Sequence, residues 1–179
     1  MNKAIATREK LLTEAKILLW ARGYSSVSLR EIAQRAGVDV ALISRYFGGK
    51  LGLFEATLAG AFEVPDVPDE ATLVDLVMQM FADAPRGGET PSVLQLIQTN
   101  ATDPEVGEMV RAAQSDGMQA KLEDVLGDRS RAAVFMSVLM GFAMAEKTLK
   151  LEGIAAPGSR AFDAQLRHLM VSALAFAPD

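Results

Sequence analysis

The chain has 179 residues, half of them apolar, a net charge of −5 and no cysteine. That length suits one medium domain or a small domain joined to a larger one, and the missing cysteine excludes disulfides and thiolate metal sites. The charge is unevenly placed: residues 1–50 hold nine Lys/Arg against four Asp/Glu, net +5, and residues 51–179 hold nine against nineteen, net −10. A basic head on an acidic body fits a phosphate-binding end attached to a part that does not bind phosphate.

The start, MNKAIATREKLL, lacks the uncharged core of a signal peptide and reads as helix. Ile5, Leu11, Leu12, Ala15, Leu18 and Leu19 recur at three- and four-residue spacing and predict a first helix from Thr7 to Ala21, with Arg8, Lys10, Glu14 and Lys16 outside. Gly23 stops it, and Trp20, Tyr24 and Val27 are expected to pack beneath the head. Ser28 and Glu31 have capping-box spacing: the serine oxygen accepts from first-turn amides while the glutamate reaches back. That starts a second helix at Leu29. Gly37 ends it as a left-handed C′ residue, and Asp39 is expected to cap a third helix from Val40 to Phe47. Ala33 is small enough for the two helices to approach closely, with Ile32, Val38, Ile43 and Phe47 as the wedge between them. This is the sequence form of a helix-turn-helix, whose second helix lies in a DNA major groove.

Stepping about 100° per residue from an inward Ile43 turns Phe47 inward and Ala41 and Arg45 outward, leaving Leu42 and Ser44 on the flanks. The outward side, opening at Val40, is then the reading side. The donor fork of Arg45 matches a guanine edge, and Ala41 and Leu42 suit thymine methyls. Ser44 and Tyr46 are better placed for phosphates. Ser28 and Arg30 at the start of the second helix, and Lys50 at the start of a fourth, stand where free amides already favour an anion. The fourth helix is expected from Lys50 to Glu63, with Leu53, Phe54, Thr57, Leu58 and Phe62 inward, until Pro65 and Pro68 break it.

ALISRYFGGKLGLFEATL, together with ARGYSSVSLREIA upstream, closely resembles the N-terminal DNA-binding domain of the TetR family of transcriptional regulators. The resemblance covers about Thr7 to Leu58 and rests on Gly23-Tyr24, the Ser28 cap, the Ala33/Gly37 turn, the pair Tyr46-Phe47 and Lys50. Ser44 stands where the family commonly has Tyr, and Tyr46 where it often has His, so the half-site sequence does not carry over. The expected division is a head over 1–50, a connecting helix and linker over 51–68, and a helical body over 69–179. In the family the connecting helix sets the separation of two reading heads in a dimer.

Five helices are expected in the body: Asp69 to Ala84, Ser92 to Asn100, Asp103 to about Leu126, a stretch capped by Asp128 that runs to Leu151, and Arg160 to Phe176. Pro85-Arg86-Gly87-Gly88, Thr90-Pro91 and Pro157-Gly158-Ser159 separate them. No strand alternation is present, so the fold class is all-α: a three-helix N-terminal domain followed by a larger helical ligand-binding and dimerisation domain. Polar residues nearly vanish from Ala132 to Ala145, which requires cover on more than one side. The longest apolar run there, Val134 to Phe142, falls short of the roughly 18 residues of a membrane span, and a cytoplasmic protein without a membrane partner is expected. Ala133, Ser137, Gly141 and Ala145 form a stripe of small residues that admits a neighbouring helix. The resemblance implies that the last two helices build a four-helix bundle with a second copy, with Leu166, Leu169 and Met170 joining that stripe. It also implies a mostly apolar cavity for a small, lipophilic effector, for which Met78, Met80, Phe81, Ile97, Met109, Met136 and Met140 are the candidate lining.

Catalysis has little to stand on. His168 is the only histidine, no GxxxxGK[ST] loop is present, and carboxylates are scattered singly. No enzyme, cofactor or metal is expected. The partners implied are an operator in double-stranded DNA, a second copy of the chain and an unidentified effector. The function is that of a repressor that binds a near-palindromic operator as a homodimer and is released by the effector. The alternative is a helical sequestering protein whose head does not read DNA.

Overall fold

The computed structural model describes residues 3–84 and 91–178, with no strand among them. The helices are α1 (Lys3–Arg22), α2 (Leu29–Ala36), α3 (Ala41–Phe47), α4 (Lys50–Leu58), α5 (Glu70–Asp83), α6 (Val93–Asn100), α7 (Gly107–Gln114), α8 (Ala120–Leu126), α9 (Arg129–Met144) and α10 (Arg160–Leu174). Wider π-helical turns at Ser115–Gln119 and Ala145–Leu149 follow α7 and α9. Contacts group the described residues into two units, 3–63 with 91–114 and 64–84 with 115–178.

In the first unit α1 is the axis, packed against α2, α4 and α6. Its buried stripe is Leu11, Ala15, Leu18, Leu19 and Trp20. Ile5, expected in that stripe, is 52% exposed, because α1 starts early and its first turns run ahead of the buried face. Trp20 Nε1 donates to Thr57 Oγ1 at 3.0 Å, and that hydroxyl donates to the Phe54 carbonyl at 2.6 Å. The buried polar atoms joining α1 to α4 thus satisfy one another, as burial requires.

A partition at residue 68 would send α6 and α7 to the body, whereas they pack with the head. Asn100, fully buried at the end of α6, supplies the reason. Its Oδ1 accepts the Tyr24 N–H at 2.7 Å, and its Nδ2 donates to the Leu19 and Leu96 carbonyls at 3.1 and 3.2 Å. Beside it, Asp103 accepts from the Ser25 hydroxyl at 2.6 Å and from the Glu105 N–H at 2.9 Å. Partial burial works to raise the Asp103 pKa, but these hydrogen bonds outweigh it and hold the carboxyl below its ordinary value. The fourth helix also ends earlier than expected, at Leu58. Ala59 leaves helical geometry with ψ 121° and Gly60 turns left-handed, so the chain bends before either proline, yet Phe62 still returns to the core.

In the second unit Leu73, Val74 and Val77 of α5 meet Phe135, Met136 and Phe142 of α9 and Phe162, Leu166 and Met170 of α10. Phe81, Phe142 and Phe162 stack as a tilted trio with centroids 5.4 to 6.3 Å apart. Asp69, Asp128 and Ser159 cap α5, α9 and α10 by accepting first-turn N–H groups. Arg131 gathers the unit's helix ends. Its guanidinium donates to the carbonyls of Leu126 (2.8 Å) and Leu174 (2.7 Å) and pairs with Glu70 (2.8 Å), so one cation serves the C-termini of α8 and α10. The expected helix from Asp103 to Leu126 begins only at Gly107 and is interrupted by the first π turn. The breaks expected at Pro85–Gly88 and Thr90 lie outside the described residues. From Arg129 to Leu149 the chain forms 21 helical residues, and an 18-residue window within them has a mean hydropathy of 1.4, long and apolar enough by composition to cross a membrane. Of that window, 28% is buried inside the subunit.

Truncating Asn100 to alanine leaves the buried Tyr24 N–H without an acceptor. Asn100→Ala is expected to lower the unfolding free energy by about 2–3 kcal/mol in urea titration, the range for a buried unsatisfied donor with a lost packing contact. A change within about 0.5 kcal/mol, the ordinary surface range, would show that the α6 junction does not hold the first unit together.

Candidate nucleic-acid interface

The α2–turn–α3 segment is built from both ends inward. Ser28 Oγ accepts the Glu31 N–H at 3.2 Å, half of the expected capping box. The other half is absent, because the Glu31 carboxylate pairs with Arg22 instead. A full charge within reach outcompetes a backbone amide for that carboxylate. Gly37 is left-handed (φ 67°, ψ 36°), and the Val38 N–H returns to the Ala33 carbonyl at 3.0 Å while the Gly37 N–H meets Gln34 O at 3.1 Å. This pair of bonds is a Schellman closure, which turns the chain sharply. Asp39 Oδ1 then accepts the Ala41 N–H at 2.7 Å, so the expected cap is made, with α3 opening one residue later than predicted.

Behind the turn, Ile32 and Ile43 have no exposed surface and Ala33 almost none. Val38 and Phe47, expected in the same wedge, are half-buried. Phe47 is at the rim because its ring carries the Arg8 guanidinium 5.0 Å above its centroid and the edge of Tyr46. On the other side Val40, Ala41, Ser44 and Arg45 are exposed, with Leu42 and Tyr46 half-buried. Ser28 and Arg30 are exposed at the start of α2. Lys50, half-buried at the start of α4, holds its ammonium 4.3 Å from the centroid of the Tyr24 ring. Burial first, and then the nearby Glu105 carboxylate, push the Tyr24 hydroxyl pKa up.

The head's cations therefore divide. Arg22 pairs with Glu31 and Arg35 with Glu14, the latter at 2.7 Å. Arg8 and Lys50 lie on rings, as does Lys16 on Trp20. Among the described residues neither Arg30 nor Arg45 is paired with a carboxylate. The aromatic seats of Arg8 and Lys50 were not legible in sequence, since each joins residues far apart in the chain.

The other candidate residues fare differently. Ile97 and Met109 belong to the first unit, whereas Met78, Met80, Phe81, Met136 and Met140 belong to the second, so the proposed lining does not come together within either unit. Met80 is 56% exposed, and Met136, Met78, Phe81 and Met140 pack in or against the second unit's core. Of the small-residue stripe, Ala133, Ser137 and Gly141 are exposed and Ala145 is half-buried. Leu166 and Met170, expected at the dimer face, are 0% exposed inside their own subunit and are corrected to core residues; Leu169 is half-buried. The outward side of α10 carries Ala161, Asp163, Ala164, Arg167, His168, Val171 and Ser172. The residues drew this error because the core side of α10 is as apolar as a subunit interface.

Two family models cover most of the chain: "Bacterial regulatory proteins, tetR family" matches residues 11–57, and "Tetracyclin repressor-like, C-terminal domain" matches residues 70–172. A protein of Bacillus subtilis (strain 168) described as "Probable HTH-type transcriptional regulator YttP" is 42% identical over 59 residues, which are 33% of this chain and 28% of that protein. Among solved structures, HlyIIR, a hemolysin II transcriptional regulator, superposes with a TM-score of 0.65 at 21% identity over 98% of this chain and all of its own. A tetR-family transcriptional regulator from Streptomyces coelicolor superposes at 0.59 with 26% identity, over 94% of this chain and 82% of its own.

The Ser28 oxygen holds the start of α2 and thereby the reading segment. Ser28→Ala is expected to cost about 1 kcal/mol of stability, the usual loss for an N-cap; chemical denaturation reads it, and Ser28→Asp should restore most of the loss.

Proposed function

This chain belongs to the TetR family of bacterial transcriptional regulators, and from that premise we propose that it is a repressor that binds a near-palindromic operator as a homodimer. The observation that carries this reading is the α3 surface: Ala41, Ser44 and Arg45 stand exposed while Ile43 behind them is fully buried. Arg45 reads a base edge, with Ala41 and Leu42 against methyls and Val40 beside them. Ser28, Arg30, Ser44, Tyr46 and Lys50 hold phosphates and fix the register. Two such helices enter successive major grooves about 34–36 Å apart. The protein acts in the cytoplasm, where its DNA is.

Dimerisation in this reading uses the exposed small residues of α9 and the outward side of α10. Met144 (41% exposed) and Val171 (55% exposed) add apolar area that a lone subunit leaves to water. The Ser137 hydroxyl is already satisfied by the Ala133 carbonyl at 2.7 Å, so a close neighbour strands no donor. A small lipophilic effector bound in the second unit releases the DNA, through a higher affinity for the head spacing that does not fit the operator; without such a difference no ligand shifts the equilibrium.

Selection from a randomised duplex pool followed by gel shifts tests the reading. Wild-type protein is expected to enrich a two-fold symmetric site. Arg45→Ala should lose about 1–3 kcal/mol on that site and relax one base position per half-site. Lys50→Ala should weaken selected and random duplexes alike and flatten the salt dependence. Equal losses on both duplexes for Arg45→Ala would remove that residue from base readout. No enrichment by the wild type would favour a sequestering protein. For the interface, a Cβ added at Gly141 meets no atom of its own subunit within 4 Å. Gly141→Leu is therefore expected to sediment as a folded monomer, and an unchanged dimer would move the interface elsewhere.

A further inference from the structure

We propose that Gly52 is a positioning residue for the recognition helix: it leaves the space in which the last carbonyl of α3 seats against the first turn of α4. The inference rests on the DNA-reading function proposed above and adds to it the residue that sets the depth and tilt of the reading surface. A Cβ at residue 52 would stand 2.0 Å from the Phe47 carbonyl oxygen and 3.2 Å from the carbonyl carbon. Even a close C–H···O contact keeps carbon and oxygen about 3.3 Å apart. Any side chain at position 52 therefore drives the end of α3 away by roughly an ångström or more, because a backbone carbonyl cannot rotate aside as a side chain does.

Gly48 and Gly49 have a different role. A Cβ at either would meet nothing, but Gly49 adopts φ 132° and ψ −165°, a region that essentially only glycine occupies. The pair sets the direction in which the chain leaves α3, and Gly52 sets how near the two helices then lie. Glycine is a weak helix former, and no left-handed angle requires it at residue 52, which is the third residue of α4. The close seat is the reason for it. Phe47 is the last residue of α3, so a displacement there is transmitted along a seven-residue helix to Arg45 and Ala41. Hydrogen bonds to a base edge tolerate only a few tenths of an ångström around about 2.9 Å, so a shift of that size separates specific from non-specific binding.

Gly52→Ala tests this with two readouts on the full chain: the amide nitrogen–proton NMR spectrum, and binding to the duplex selected by wild type against a scrambled duplex. The spectrum is expected to change at residues 41–48 and to keep wild-type positions through residues 29–36. Preference for the selected duplex should fall about tenfold, while affinity for the scrambled duplex and its salt slope stay as in wild type. Unmoved α3 amides, an equal loss on both duplexes, or a variant that no longer folds would each overturn the placing role, the last because residue 52 would then support the whole head. If wild type selects its site and Gly52→Ala keeps the same preference, this inference alone fails. If wild type selects nothing, the DNA-reading premise fails and the role falls with it, whatever α3 does in the spectrum.

Discussion

Everything the head can do depends on the burial of one side chain, Ile43. A helix of seven residues is far below the roughly 12–15 at which an isolated helix begins to hold in water, and Ile43 is the residue of α3 that is buried. The segment stays helical because that side chain is fully buried and α3 packs against α4, while Asp39 holds one end and the left-handed Gly48 the other. The economy of contact is what frees the remaining surface. An α3 with two or three buried residues would be more stable and would have less of itself to offer a groove.

What was legible in the sequence followed from short-range chemistry. The caps at Ser28, Asp39 and Asp128 and the turn at Gly37 involve residues within five of one another, and each forms as its local pattern requires. The outward face of α3 follows from helical period alone. What was not legible depends on partners distant in the chain. Glu31 reads as half of a capping box until Arg22 is brought beside it. Asn100 reads as the polar end of an apolar helix until the Tyr24 amide is found against it, a bond that joins α6 to the unit whose α1 it packs on. Gly52 reads as a helix blemish until the Phe47 carbonyl is placed.

The apolar helices of the second unit show a related limit. A helix with two apolar sides does not say which is core and which is interface. In α10 Phe162, Leu166, Met170 and Ala173 face inward, and Ala161, Ala164, His168 and Val171 face out. In α9 Phe135, Met136 and Phe142 lie inside together with Ala132 and Ala143, and Ala133, Ser137, Gly141 and Met144 lie outside. The side that fills a core is made of bulky residues, because filled volume sets core stability. The side open to a close-approaching helix is made of small ones. Size marks the two sides only in part, since Ala132, Ala143 and Ala173 are buried with the bulky residues while Met144 and Val171 stand exposed.

The same distinction between amount and placement applies to charge. A net of +5 over residues 1–50 suggests nine interchangeable cations, but Arg22 and Arg35 are neutralised by Glu31 and Glu14. Arg8, Lys16 and Lys50 keep their full charge while resting on aromatic rings, because a ring face attracts a cation without cancelling it. Such contacts are worth about 0.5–1 kcal/mol at exposed sites, enough to favour one position of a long side chain over many. A lysine already localised at the start of α4 has less rotamer freedom to lose when a phosphate arrives than one moving freely in solvent. Tyr24, buried beneath the head, and Phe47, at its rim, are thus also seats that hold positive charge.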